Sequence, residues 1–298
     1  MLRTLLLIIS LIFLTGCATN YAERSEGRQF IHQMVTKHQF DQQQLTLLFT
    51  DVEPDQRIIN IMKKPHEKVM PWYAYRSIFL TPQRAQEGAL FWRQHEKALA
   101  YAQQKYGVPP EIIVSILGVE TRYGKIQGTY QTLRSLATLS FDYPPRAKFF
   151  RGELEQFLLL TRELPLDPRM VMGSYAGALG EPQFMPSSYR RYAVAYRGDK
   201  LGDLFSNNDD VIISIANYLK INGWQPQGKI AVAVKQKTPA KPPAMTLYDF
   251  PMQNGSEYWL TYPKFAVIMR YNISPYYAMV VYQLSEQIKK YYQKSLQV

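Results

Sequence analysis

The sequence predicts a mainly α fold with a small β component (α+β), and three observations carry that reading. Helix punctuation recurs along most of the chain, with cap residues or Pro openings at one end and Gly or Pro at the other. Only two short runs read as strands, Lys229 to Lys235 and Phe265 to Tyr271. Of the 298 residues, 46% are hydrophobic and 20% charged. That is ample core for one large domain or two ordinary ones, and it excludes a largely disordered chain.

The N-terminus reads as an address. Arg3 is the only charge ahead of an apolar run from Leu5 to Leu14 that is broken only by Ser10. This run is far shorter than the ~20 residues a spanning helix needs, so residues 1–16 are expected to be a secretory signal peptide. Leu14-Thr15-Gly16-Cys17 resembles the bacterial lipobox, in which cleavage leaves the cysteine as a lipidated first residue. Cys17 is the single cysteine of the chain, which excludes an intramolecular disulfide and a cysteine-based zinc cage. Several acyl chains on one residue suffice for stable membrane anchoring, where one chain is marginal. Ala18, in place of Asp, implies by resemblance to lipoprotein sorting rules the periplasmic side of the outer membrane.

Residues from about Tyr21 to Asn60 are polar with scattered apolar positions, and are expected to form a tether followed by short helices. Thr81-Pro82 is an N-cap and first helical residue for a helix running through Phe91, Trp92 and Ala98 to Tyr106, where Gly107 stops it. Pro109-Pro110 opens a helix over Glu111 to Tyr123, ended by Gly124. A further helix covers roughly Phe149 to Leu164 and is closed by Pro165. Asn207 to Asp210 offer caps for a helix through Ile213 and Tyr218 that ends at Gly223. Between the two β-like runs, Thr238 to Pro243 is rich in Pro and Lys and reads as a loop. The last helix runs from about Pro275 to Tyr292, and there is no internal repeat.

Lys plus Arg is 35 against 24 for Asp plus Glu, a net charge of +11 that favours anionic surroundings such as nucleic acid, phospholipid or an acidic polymer. A nucleic-acid partner is not expected, because the chain carries a lipobox and neither a basic helix nor an aromatic RNP-type pattern.

One carboxylate is unusually placed. At 100° per residue along the helix from Glu111 to Tyr123, Ile112, Ile116, Ile113 and Leu117 fall at about 0°, 40°, 100° and 140°, and Glu120 at about 80°, inside that apolar stripe. Burial disfavours the charged form, which is how a carboxylic acid keeps its proton near neutral pH. The plain alternative is a Glu paired with Arg122 or capping a neighbouring helix.

The stretch Gly118-Val119-Glu120-Thr121-Arg122-Tyr123-Gly124 resembles the catalytic-helix motif of the membrane-bound lytic murein transglycosylase B family. Gly173 to Gly180, continuing through Gln183-Phe184-Met185-Pro186-Ser187-Ser188-Tyr189, is similar to the second signature of that family. Ala137 to Phe141, Ala216-Asn217-Tyr218 and Arg270-Tyr271-Asn272 match in order, so the resemblance covers roughly Trp72 to the C-terminus. It implies a lysozyme-like helical core with a small helical domain and a small β-containing domain. The expected organisation is a signal at 1–16, a tether with short helices at 17–70 and the catalytic region at 71–298. Within the last, a helical subdomain is inserted at about 130–170 and a β-containing segment at about 228–264.

The resemblance further implies a peptidoglycan lytic exotransglycosylase, a lyase that needs no cofactor. Its partners would be peptidoglycan glycan strands and, through Cys17, the membrane, with cell-wall synthesis or division proteins as further candidates. Ordinary glycosidases use two carboxylates across the scissile bond. Here Glu120 alone would act, first protonating the oxygen between N-acetylmuramic acid and N-acetylglucosamine, then removing the proton of the C6 hydroxyl so that a 1,6-anhydro ring closes. Ser174 and Gln183 match positions that contact the catalytic Glu and the sugar N-acetyl group. Asn272 matches an active-site asparagine, and Tyr75, Tyr218, Tyr271 and Tyr277 match tyrosines of the cleft. Such rings, apolar in body and polar at the tip, suit sugars.

Three departures limit the match. The calcium-binding loop of the family aligns with Ala195 to Asp210, but Ala195 and Arg197 stand at ligand positions, and a cation in a hard-cation cage argues against binding. Pro145-Arg146 replaces a pair of arginines, leaving Arg146 for the carboxylates of stem peptides. Glu181-Pro182 alters the second signature. A hydrolytic muramidase and a noncatalytic peptidoglycan-binding lipoprotein remain as alternatives at this point.

Overall fold

The computed structural model describes residues 20–63, 70–198, 200–235 and 244–297; Cys17, Asp199 and the loop from Thr238 to Pro243 lie outside the described residues. The chain divides into two compact units, Met1–Pro54 and Asp55–Val298.

In the first unit, α1 (Ser25–His38) and α2 (Gln42–Thr50) pack against each other. Gln39 in the left-handed conformation ends α1, and the Asp41 side chain accepts from the Gln44 amide to start α2. Phe30 and Phe49 meet edge-to-face at 5.8 Å in the small core between them.

The second unit begins with α3 (Gln56–Lys63) and α4 (Trp72–Phe79). The expected helix from Thr81 to Tyr106 is two helices, α5 (Pro82–Gln94) and α6 (Glu96–Tyr106). The break is His95, at φ −119° and ψ 27°, whose amide bonds back to both Phe91 and Trp92. Thr81 caps α5 through the Arg84 amide, and Gly107 at φ 70° ends α6.

The central helix, α7 (Pro110–Glu120), is buried at every residue from Pro110 to Gly118. It is buried all round rather than along one stripe, as befits a helix enclosed on all sides. Each of Ile112, Ile113, Val114, Ile116 and Leu117 is at most 1% exposed, and burying such a side chain contributes about 1.5–3 kcal/mol. α5, α6, α11 (Asn208–Ile221) and α13 (Pro275–Ser295) surround it.

A second helical layer comprises α8 (Thr132–Phe141), α9 (Ala147–Glu163) and α10 (Pro186–Tyr192), with a single 3-10 turn, Pro144–Arg146, joining the first two. A two-residue antiparallel pair links its ends, β1 (Tyr130–Gln131) with β2 (Met172–Gly173), in register Tyr130 to Gly173.

The β component is a three-stranded antiparallel sheet in the order β3 (Ala231–Val234), β5 (Ser256–Thr261), β4 (Thr246–Pro251). Thr261 lies opposite both Ala231 and Thr246. β3 falls within the expected first run, whereas the second, Phe265 to Tyr271, is helical: it forms α12 (Pro263–Tyr271). Pro263 opens it at the first helical position, and the buried residues Lys264, Phe265, Val267 and Ile268 follow a helical period. Packing of the Phe265 ring on Tyr248 of β4, at 5.5 Å, overrides the β preference of an apolar run.

Candidate active site

The expected helix through Tyr123 stops three residues sooner, and that stop creates the site. Thr121 leaves the helical conformation, and Arg122, Tyr123 and Gly124 follow with φ of 51°, 61° and 80°. Two consecutive non-glycine residues in the left-handed region are strained, and such backbone persists only where the surroundings fix it. Several contacts do so here. The Tyr123 amide donates to Leu117 O at 3.1 Å, and the Tyr123 hydroxyl to Arg84 O at 2.7 Å. Arg84 returns a bond from Nη1 to Gly118 O at 2.7 Å, placing a cation at the carbonyl end of α7. Arg122 does not serve Glu120 as its salt-bridge partner: its Nε and Nη2 donate to Glu87 at 2.9 and 3.0 Å, with Lys125 beside them at 3.2 Å.

Glu120 is therefore the last helical residue, half-buried at the mouth of an apolar core. The Tyr277 hydroxyl donates to its Oε1 at 2.7 Å. Tyr277 sits in the first turn of α13, which is capped by Ser274, and is 2% exposed. Tyr271 stacks on it at 6.4 Å and 13° between planes, and donates its own hydroxyl to Pro182 O at 2.7 Å. Tyr218 meets Tyr271 edge-on at 4.8 Å and donates to Arg270 O at 2.6 Å. Burial first, and the nearby Glu120 charge second, hold the phenols of Tyr271 and Tyr277 well above their usual range. Burial also lifts Tyr218, to about 12. All three stay protonated donors at neutral pH and compete with Glu120 for no proton.

Tyr75 is buried beside Trp72, Phe79 and Tyr276. Asn272 directly follows α12 and is half-buried next to this tyrosine cluster.

The second signature forms a tight loop. Ser174 Oγ accepts from the amides of Ala176 and Ala178 at 3.2 and 3.0 Å. Gln183, at φ 50°, donates from Nε2 to Gln127 O and Gly180 O at 3.0 and 2.8 Å. Among the described hydrogen bonds, these two side chains close the loop rather than reach Glu120. Gly128, at φ 105°, lets the backbone approach: a Cβ there would lie 2.1 Å from Gly173 O.

Arg146 stands apart from this cluster. It is exposed, lies over Phe149 at 4.3 Å and Phe150 at 5.1 Å, and lines a separate hollow of about 700 Å³ with Lys148, Glu153 and Ser187.

Sequence reasoning missed four members of this neighbourhood. Trp72 and Tyr276 back the tyrosine wall at 5.3 Å from each other, and Arg84 braces α7. The fourth is Glu181, buried against the turn after Glu120 with Oε2 lacking a hydrogen-bond partner. Its one sequence signal was that Glu181-Pro182 departs from the second signature.

In the loop from Ala195 to Asp210, Asp199 lies outside the described residues. Asp210 already accepts the amides of Tyr196 and Asp203 at 2.7 and 2.9 Å, and the Arg197 guanidinium lies over the Tyr196 ring. Among the described residues, no group of three or more His, Cys, Asp or Glu side chains is arranged to hold a metal.

This arrangement has close counterparts. A family model described as Transglycosylase SLT domain matches residues 22–249 and 235–286. Membrane-bound lytic murein transglycosylase B of Escherichia coli (strain K12) is 41% identical, over 90% of this chain and 84% of its own length. The structure of the Escherichia coli lytic transglycosylase Slt35 in complex with calcium superposes with a TM-score of 0.85 at 39% identity, covering 91% of this chain and 95% of that one. SltB3 from Pseudomonas aeruginosa, in complex with NAG-NAM-pentapeptide, superposes at 0.78 with 26% identity, over 88% of this chain and 78% of that one. With the family model matching most of its length and a curated relative two-fifths identical across nine-tenths of it, the chain belongs to the SLT-domain family of lytic murein transglycosylases and has their lysozyme-like fold.

Proposed function

We propose that this lytic transglycosylase cleaves peptidoglycan without water, using Glu120 as acid and then as base. The observation that carries the reading is the 2.7 Å bond from buried Tyr277 to Oε1 of Glu120 at the C-terminal end of α7. A phenol held protonated fixes that oxygen as an acceptor, so the transferable proton belongs on Oε2. In the first step that proton passes to the glycosidic oxygen between N-acetylmuramic acid and N-acetylglucosamine, and the C1–O bond breaks. The N-acetyl oxygen of the muramic acid supports the cation developing at C1. In the second step the Glu120 carboxylate takes the proton of the C6 hydroxyl, and O6 bonds to C1 as the N-acetyl oxygen leaves. The acid is regenerated, the product carries a 1,6-anhydro ring, and no water is consumed.

Tyr75, Tyr218, Tyr271 and Asn272 line the sugar site in this reading, with Ser174 and Gln183 shaping its far wall. Arg146 is the cation for stem-peptide carboxylates in the neighbouring hollow. The complex of SltB3 with NAG-NAM-pentapeptide supports this substrate class. The relative named membrane-bound supports a membrane-associated periplasmic enzyme. The finer reading is a lipid on Cys17 in the outer membrane, expected to release into the soluble periplasm on Cys17→Ala. The reaction itself is tested by Glu120→Gln, which should abolish release of anhydro-muropeptides from purified sacculi; retained activity would defeat the single-acid mechanism.

A further inference from the structure

Glu181 has no part in the reaction above, yet its carboxyl is 5% exposed and its Oε2 is enclosed without a partner. A bare charge in that position is costly, and a carboxyl avoids the cost by keeping its proton. Burial, reinforced by the like charge of Asp203, raises it from 4.5 to about 7. The charged and titratable groups on the elements packed around it are engaged elsewhere. Asp203 accepts from Ser206 and from the Phe205 amide, and Tyr189 donates to Gly202 O. On the turn after α7, Arg122 and Lys125 serve Glu87, and Tyr123 donates to Arg84 O. On α12, Tyr271 donates to Pro182 O.

The position of Glu181 joins both supports of Glu120. Its Cδ lies where a Cβ on Gly124 would be 2.7 Å away, so the carboxyl rests on the bare Cα of that glycine. Its carbonyl accepts from Thr121 Oγ1 at 2.9 Å, and Thr121 Oγ1 in turn accepts the Gly124 amide at 3.0 Å. Its amide donates to Leu204 O at 2.9 Å. Thr121 is the residue next to Glu120. On the other side, the carbonyl of Pro182 seats Tyr271, which stacks on Tyr277, which holds Glu120.

We infer that Glu181 is a positioning residue for the lytic reaction: wedged between Gly124 and the Asp203 loop, it fixes the turn and the tyrosine pair that aim Glu120. The inference rests on Glu120 being the acid–base. Ionisation of Glu181 puts an unpartnered charge in the wedge and loosens both supports, so turnover falls as pH rises through about 7.

The test compares anhydro-muropeptide release from sacculi across that pH range for the wild type, Glu181→Ala and Glu181→Gln. Glu181→Ala should lower kcat by roughly ten- to a hundred-fold with KM little changed, the scale of a misplaced catalytic group. Glu181→Gln, isosteric and uncharged, should restore kcat and keep it at alkaline pH where the wild type declines. Infrared spectra of the Glu120→Gln protein should show a buried protonated carboxyl that titrates near neutrality and is absent from Glu120→Gln/Glu181→Gln; this readout serves even if the alanine variant fails to fold. A wild-type pH profile in Glu181→Gln, or no such carboxyl band, overturns the inference. Activity surviving in Glu120→Gln overturns the acid–base reading instead and leaves the infrared result intact.

Discussion

The bond from Tyr277 to Glu120 is the most directly testable element of the site. Tyr277→Phe removes one oxygen and leaves the ring, its 2% exposure and its stacking on Tyr271 in place. The lost interaction is a hydrogen bond to an ionisable acceptor at 2.7 Å, a class that contributes about 1.5–3 kcal/mol. If it orients Glu120 in the transition state, kcat should fall by roughly ten- to a hundred-fold, since about 1.4 kcal/mol is tenfold in rate. Stability should change much less, because Glu120 is half-buried and can take water in place of the phenol; a loss of about 1 kcal/mol would move Tm by only about 2–4 °C in a protein of this size. The assay is initial release of muropeptides from sacculi, paired with a thermal melt. Wild-type turnover in a folded Tyr277→Phe protein would show that the tyrosine does not hold the acid. A loss of turnover matched by a large loss of Tm would assign it to packing.

Other outcomes follow from the same contacts. Glu181 carries its proton to higher pH in the native state, about 7, than in the unfolded chain, 4.5. Its stabilising contribution is thus complete below the unfolded value and lost as pH rises through the native one, about 3 kcal/mol in all. Denaturant melts should show this decline, and Glu181→Gln should remove it. Gly124→Ala combines φ 80° with a Cβ 2.7 Å from Glu181 Cδ, and should cost about 1–3 kcal/mol in denaturant melts together with most of the activity. Arg146→Ala should weaken binding of glycans bearing stem peptides, read as KM, while leaving peptide-free glycan unaffected, because its guanidinium lines a hollow away from Glu120.

What the sequence made legible was local. Thr81, Asn207 and the prolines at 82, 110 and 275 open helices as their side-chain oxygens and fixed φ dictate. The helical period could not locate Glu120 correctly, because α7 is buried all round and an apolar stripe has no meaning there. What distinguishes Glu120 is the left-handed turn that follows, held by Arg84 and Glu181 from other parts of the chain. The Tyr277 bond spans 157 residues, a contact no local pattern encodes; the family resemblance placed Tyr277 only among the tyrosines of the cleft. Phe265 to Tyr271 misled for the opposite reason, since a short apolar run fits either period until its packing partners are known. Glu181 was visible only as a departure from a signature, and its burial depends on Gly124 and the Asp203 loop together.

The central claim is that one carboxylic acid opens the glycosidic bond and closes the anhydro ring with no water. Mass spectrometry of muropeptides released from sacculi in heavy-oxygen water tests it in one measurement. The account predicts 1,6-anhydromuramic ends, one water lighter than the hydrolysed sugar and free of the heavy isotope. Reducing-end muramic acid carrying the label would contradict it.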